Sequence, residues 1–133
     1  MIGELTPDDV QTLLENGEVK VTDAGGSSKG MKLPQLGAID PVALLEVAKV
    51  AGYGTIKYGR GNYMKSGYDW SLNVDALFRH LLAWLQREDN DPESGLSHLA
   101  HAGWHVLTLI GFQLRGIGTD DRHPKPGRER HGL

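Results

Sequence analysis

The sequence predicts an all-α fold: a compact helical domain of three main helices, preceded by a short N-terminal helix and completed by oligomerisation. Three observations lead there. Apolar residues recur at helical spacing in three long segments, capping and breaking residues bound those segments, and only one brief stretch, Glu18 to Asp23, alternates in the manner of a strand. At 133 residues the chain has the length of one domain, enough to bury roughly two-thirds of its unfolded surface and hold a core without cross-links.

Thr6-Pro7-Asp8-Asp9 begins the short helix: threonine caps, proline suits the first turn, and the two acids favour the positive end of the helix dipole. Asn16-Gly17 ends it. The strand-like stretch follows, and Gly25-Gly26-Ser27-Ser28-Lys29-Gly30 then reads as a plain flexible link, because it lacks the full phosphate-loop pattern and no strand-to-helix junction surrounds it. Asp40-Pro41 repeats the cap-then-proline start. Val42, Leu44, Leu45, Val47, Ala48 and Val50 make the first main helix apolar on most faces, which predicts burial, with an end near Gly52 or Gly54.

Lys57 to Tyr63 reads as a loop whose cationic, aromatic and amide groups stand beside two glycines that permit close backbone approach. The second main helix runs from about Ser71 to Arg87 with Leu72, Leu77, Phe78, Leu81, Leu82 and Leu85 as its core stripe. The third begins after Asp91-Pro92, continues through Leu99, Val106, Leu109 and Ile110 to about Leu114, and closes at Arg115-Gly116. From Thr119 the tail is rich in proline, glycine and charge, which predicts poor order. The expected organisation is an N-terminal helix and arm over 1–30, the helical domain over 31–118 and a flexible tail over 119–133.

Composition removes several functions. There is no cysteine, so disulfides, thiolate metal sites and a cysteine nucleophile are excluded, and any metal must be held by nitrogen and oxygen. A net charge of -3 gives no basic footprint for nucleic acid, although a few lysines suffice for a small anion. No signal-peptide pattern opens the chain and the longest apolar run, Val106 to Phe112, is far short of a membrane span. A soluble, cytoplasmic protein is expected.

The chemistry concentrates between His80 and His105, which hold four of the six histidines together with Glu88, Asp89, Asp91 and Glu93. Imidazoles and carboxylates bind divalent metals and move protons near neutral pH. His80, Trp84 and Glu88 are spaced by four and share a helical row; His98, His101 and His105 follow at three and four. With a rise of about 1.5 Å per residue, His98 and His105 lie too far apart to share an ion, whereas His98 and His101 can. The short acidic connection makes the two helices antiparallel neighbours. Each piece also has a plain structural role. Asp91 can cap a helix, Glu93 suits a helix start, Glu88 and Asp89 can be solvated loop charge, and Trp84, Trp104, Tyr53 and Phe112 can be core.

At these residues the chain resembles a family found mostly in bacteriophages, the N-terminal domain of dATP/dGTP diphosphohydrolases, similar in kind to MazG-like nucleotide pyrophosphohydrolases. The resemblance covers about residues 29 to 122. It rests on Asp40-Pro41-Val42-Ala43-Leu44, Gly54-Thr55-Ile56-Lys57-Tyr58-Gly59 with Asn62, Arg79-His80-Leu81 and Trp84. It continues through the acidic turn Glu88 to Leu96, His98-Leu99-Ala100-His101-Ala102 and Leu114-Arg115-Gly116.

The resemblance implies hydrolysis of dGTP or dATP to the monophosphate and pyrophosphate, with Mg²⁺ or Mn²⁺, in a homo-oligomer in the cytoplasm of the infected host cell. It implies Glu88 and Asp89 as catalytic residues, Lys57, Tyr58 and Asn62 as substrate-binding residues, and His80, Asp91, His98 and His101 as metal ligands; Lys32 and Trp84 are expected to join the substrate-binding residues. Two other readings of the same residues are a phage protein that binds and sequesters a nucleotide without cleaving it, and a helical interaction protein whose histidines pack a subunit interface.

Overall fold

A computed structural model describes residues 4–127. Two compact units divide between Pro41 and Val42.

In the first unit, α1 (Pro7–Asn16) forms as expected. The Thr6 hydroxyl accepts from the Asp9 N–H at 3.1 Å, the Asp9 carboxylate accepts from the Thr6 N–H at 3.0 Å, and Gly17 closes the helix at φ 75°. The strand expected after it is β1 (Glu18–Thr22). The glycine-rich stretch is not a plain link. Asp23 accepts from the N–H groups of Gly25 and Ser27, both at 2.9 Å, and folds a turn into β2 (Ser28–Lys32), which pairs antiparallel with β1. The fold is therefore mostly helical with a two-stranded sheet rather than all-α, and the boundary expected at 30/31 falls inside β2. A 3₁₀ turn, Leu36–Ala38, leads on.

The second unit contains α2 (Pro41–Tyr58, beginning one residue before the unit), α3 (Asn62–Lys65), α4 (Trp70–Leu85) and α5 (His98–Arg115). Asn73 faces His105 and His80 faces His98, so α4 and α5 run antiparallel as the short connection implied. Gly103 lets α2 approach α5 closely: a Cβ there would lie 3.1 Å from the Val47 side chain. The core includes Val50, Trp70, Ala100, Ala102 and Phe112, together with the polar residues Asn73, His98, His101 and Thr108.

Four helix boundaries or faces differ from expectation. α2 does not stop at Gly52 or Gly54 but runs to Tyr58, because a mid-helix glycine costs only about 1 kcal/mol and the true stop is Gly59 at φ 90°. α4 ends at Leu85, where Arg87 turns to φ 74°, so Glu88 stands in the loop and not on the helical row of His80 and Trp84. α5 starts at His98 instead of after Pro92. The Asp91 carboxylate is taken by the Glu93 N–H and the Ser94 hydroxyl, Gly95 turns at φ 72°, and Ser97 becomes the cap by accepting from the Ala100 N–H. The apolar faces of α2 and α4 are not buried: Val42, Leu45, Leu72, Phe78, Leu82 and Leu85 are all exposed.

The start of the tail is not loose. Trp70 N–H and Nε1–H donate to the carbonyls of Thr119 (3.0 Å) and Ile117 (2.9 Å), Asp121 accepts from the Ser71 N–H and hydroxyl, and Arg122 lies over the Trp70 ring. The remainder of that expectation, from residue 128, lies outside the described residues. No helix among the described residues is long and apolar enough to cross a membrane.

Candidate active site

Packing α2, α3, α4 and α5 leaves a cavity of about 960 Å³. Lys57, Tyr58, Asn62, His80, Asp91, His98 and His101, all predicted from sequence, line it. Tyr53, Arg79, Glu93, Trp104 and His105 line it too. Of the remaining predicted residues, Glu88 touches the site through His98, Asp89 holds the His98 N–H through its carbonyl at 2.9 Å, and Trp84 is 43% exposed. Lys32 is an exposed residue of β2 in the first unit.

For imidazoles in their neutral form, the hydrogen bonds fix which ring nitrogen carries the proton. His98 Nε2 lies 2.7 Å from Glu88 Oε1, and a carboxylate only accepts, so His98 donates there and its Nδ1 is bare. That Nδ1 lies 2.8 Å from His80 Nδ1, which must therefore carry the proton. The relay Glu88–His98–His80 leaves Nε2 as the bare nitrogen of His80. On the other side, Ser94 donates to Asp91 Oδ2 at 3.2 Å, so His101 Nε2, at 2.7 Å, donates to the serine oxygen and keeps a bare Nδ1. His105 Nδ1 lies 2.7 Å from Asn73 Oδ1, which also accepts from the Tyr68 hydroxyl at 3.0 Å.

The rings stack. His80 lies parallel to His101 with centroids 4.5 Å apart and 6° between planes, and 5.7 Å from His105. Burial, reinforced by the neighbouring imidazoles, pushes the His80 pKa down; burial also lowers His101 and takes His105 from 6.5 to about 4. These three rings are uncharged at neutral pH. Burial pushes Asp91 upward, but the hydrogen bonds from Glu93 and Ser94 outweigh it and hold the carboxyl below its usual range. Beyond His101, Lys57 Nζ meets Glu93 Oε1 at 2.7 Å and stands 5.5 Å from the centre of the Tyr53 ring.

Uncharged imidazoles beside an ionised carboxylate are the donor chemistry a divalent cation needs. No group of three or more His, Asp or Glu side chains among the described residues is arranged to hold an ion. Both nitrogens of His98 and Nε2 of His101 are already engaged, which leaves the carboxylate of Asp91 and the bare Nδ1 of His101 as candidate donors.

Ser94 and Asn73 were missed in the sequence. Asn73 leaves a signal: it is a polar residue inside the apolar stripe of α4, seven residues before His80 and so on the same face. Ser94 leaves none beyond its place in the acidic turn.

The family described as dATP/dGTP diphosphohydrolase, N-terminal, matches residues 23–122. A dATP/dGTP diphosphohydrolase of Salmonella phage PMBT28 is 36% identical over 111 residues, covering 77% of this chain and 38% of that protein. The chain thus spans less than half the length of this curated relative. No solved structure matches. The family match takes in every cavity residue and the whole Glu88–His98–His80 relay, and the chain belongs to the dATP/dGTP diphosphohydrolase N-terminal family.

Proposed function

We propose that this domain hydrolyses dATP or dGTP at the α-phosphorus, releasing the monophosphate and pyrophosphate, with Mg²⁺ or Mn²⁺ as cofactor and as part of a homo-oligomer. One observation carries the reading: a single cavity gathers Lys57 and Arg79, an ionised Asp91 and three stacked, uncharged imidazoles, in a family whose relative is named for this substrate pair.

Asp91 and His101 would hold the cation. So few protein ligands suit Mg²⁺, which commonly keeps waters and substrate phosphates in its remaining positions. When bound it would neutralise charge on the triphosphate oxygens and acidify a water. The chain's own groups do the rest. Lys57 and Arg79 draw the triphosphate, and Tyr58 and Asn62 bound the same wall. His80, with Nε2 bare, takes the proton of the attacking water as its oxygen bonds to the α-phosphorus and the bond to the pyrophosphate oxygen breaks. Glu88 acts through His98, fixing the His80 tautomer and steadying the imidazolium that forms; Asp89 positions His98 by its main chain.

The test is incubation with each deoxynucleoside triphosphate and a metal panel, followed by separation of products. Turnover of no purine triphosphate ends the enzymatic reading. The alternative outcome is a protein that binds and sequesters the nucleotide without cleaving it. Stoichiometric binding with intact ligand recovered, indifferent to chelator, would establish it.

A further inference from the structure

We propose that α3 is a hinged flap and that Lys65, which it carries, closes onto the phosphate chain of the bound nucleotide; this rests on the nucleotide reading above.

The charges lining the cavity give the reason. Histidines apart, Lys57, Lys65 and Arg79 stand against Asp91 and Glu93 among the described lining residues. Glu93 offsets Lys57 directly, through their ion pair at 2.7 Å. The lining thus carries one positive charge in excess, and removing Lys65 leaves it neutral. A triphosphate is strongly anionic, and a neutral lining does not draw it. Lys65 is exposed and makes no hydrogen bond or ion pair among the described residues, so its ammonium group is free to meet a ligand.

The backbone gives the hinge. Gly59 and Gly61 take left-handed φ values of 90° and 69°, and a Cβ at either would meet nothing within 4 Å, so both serve the turn of the chain rather than its packing. The other end is moored. A Cβ at Gly67 would lie 2.6 Å from the Gly118 nitrogen, and the next residue, Tyr68, accepts from the Thr119 N–H at 3.3 Å. Between these points no backbone hydrogen bond ties Asn62–Lys65 to α4 or α5 among the described residues, and the side chains of α3 receive one, from Arg115 to the weakly accepting Met64 sulfur at 3.9 Å. The remaining hold is aromatic, Tyr63 against Trp104 and Phe112. A second cavity of about 250 Å³, lined by Met64, Leu107 and Gly111, shares Tyr63 and Trp104 with the first, so α3 is a partition with room on both sides. Rotation at two element-terminal residues with the far end fixed is how a short flap swings.

Inorganic tripolyphosphate is the probe, titrated by calorimetry at fixed Mg²⁺. K65M should weaken its binding at least about tenfold, the worth of one charge-assisted hydrogen bond. K65R, which keeps the charge, should recover it to within about threefold, a rescue that lost packing alone would not allow. Movement is read separately. The chain has no cysteine, so M64C takes a single environment-sensitive label, whose emission saturating tripolyphosphate should shift when Lys65 is present and leave unchanged beside K65M. Unchanged affinity in K65M, no binding to the unmodified protein, or an emission that stays fixed at saturation with Lys65 present overturns the proposal. If binding depends on Lys65 while dATP and dGTP stay intact, the hydrolytic reading falls and the flap stands. If K65M turns over both triphosphates with the parental kcat/KM, the flap falls and the hydrolytic reading stands.

Discussion

Ser94 Oγ lies 2.7 Å from Nε2 of His101, and the same oxygen donates to Asp91 at 3.2 Å and accepts from the Leu96 N–H at 3.1 Å. One proton and two lone pairs are all a hydroxyl has, so Ser94 is a holder and not a nucleophile. It keeps Asp91 ionised and fixes the tautomer of a histidine that is 7% exposed.

Ser94→Ala should thus act on chemistry through its two partners. Removing such an outer support typically costs ten- to a hundredfold. We expect kcat for the purine triphosphate to fall by about that factor with KM changed less than threefold, and stability to fall by about 1–3 kcal/mol because a buried imidazole N–H loses its acceptor. Steady-state kinetics with urea unfolding checks both. A kcat within twofold of the parent would remove Ser94 from the site.

Stability should fall with acid over a defined window. His105 has a folded pKa of about 4 against an ordinary 6.5. Between those values the unfolded chain binds the proton and the folded chain does not. The contribution is therefore intact above pH 6.5, is lost as pH falls, and stops changing below 4. A shift of this size corresponds to about 3 kcal/mol. His80 and His101, also depressed, add in the same direction. Denaturant midpoints from pH 7.5 to 4 should show the decline, and His105→Phe should flatten it. An unchanged slope in the variant refutes the assignment.

The helices and the crowded histidines were legible because both are local. Thr6-Pro7 and Arg115-Gly116 mark ends by backbone chemistry, and the three-and-four spacing of His98, His101 and His105 puts them on neighbouring turns whatever else the chain does. What was not legible depends on partners far along the chain. Asp91-Pro92 has the chemistry of a helix start, yet competition from Ser94 and Gly95 moved the start to His98. Glu88 extrapolates onto the row of His80 only if α4 continues, and the left-handed turn at Arg87 ends it. The tail reads as loose by composition, but Trp70 and Ser71, some 50 residues earlier, pin it.

Lys57 and Glu93 make the next case. Their ion pair raises the lysine pKa and lowers that of the glutamate, each chiefly through the hydrogen bond between them. On the proposed reading the glutamate occupies the place of a phosphate until substrate displaces it. Glu93→Gln should then tighten inhibition by pyrophosphate several-fold, Lys57→Met should raise KM at least tenfold, and the double variant should lose the gain. Weaker pyrophosphate binding in Glu93→Gln would instead make Glu93 a participant in holding the cation.

The apolar surface leads to the last prediction. Phe78 is 57% exposed, Leu82 53% and Leu85 69% on α4, while Leu45 of α2 is 64% exposed. Phe78, Leu82 and Leu85 fall at spacings of four and three, hence on one face of the helix. A face of this kind covers itself most economically against an identical face related by a twofold axis. Sedimentation at micromolar concentrations should therefore show association, and Phe78→Glu should shift the equilibrium towards monomer by placing two like charges across the axis. Circular dichroism separates dissociation from unfolding, since the monomeric variant should keep its helicity. If Phe78→Glu associates as the parent does, the contact lies elsewhere; if the parent is monomeric at every concentration, the α4 face has no homotypic partner.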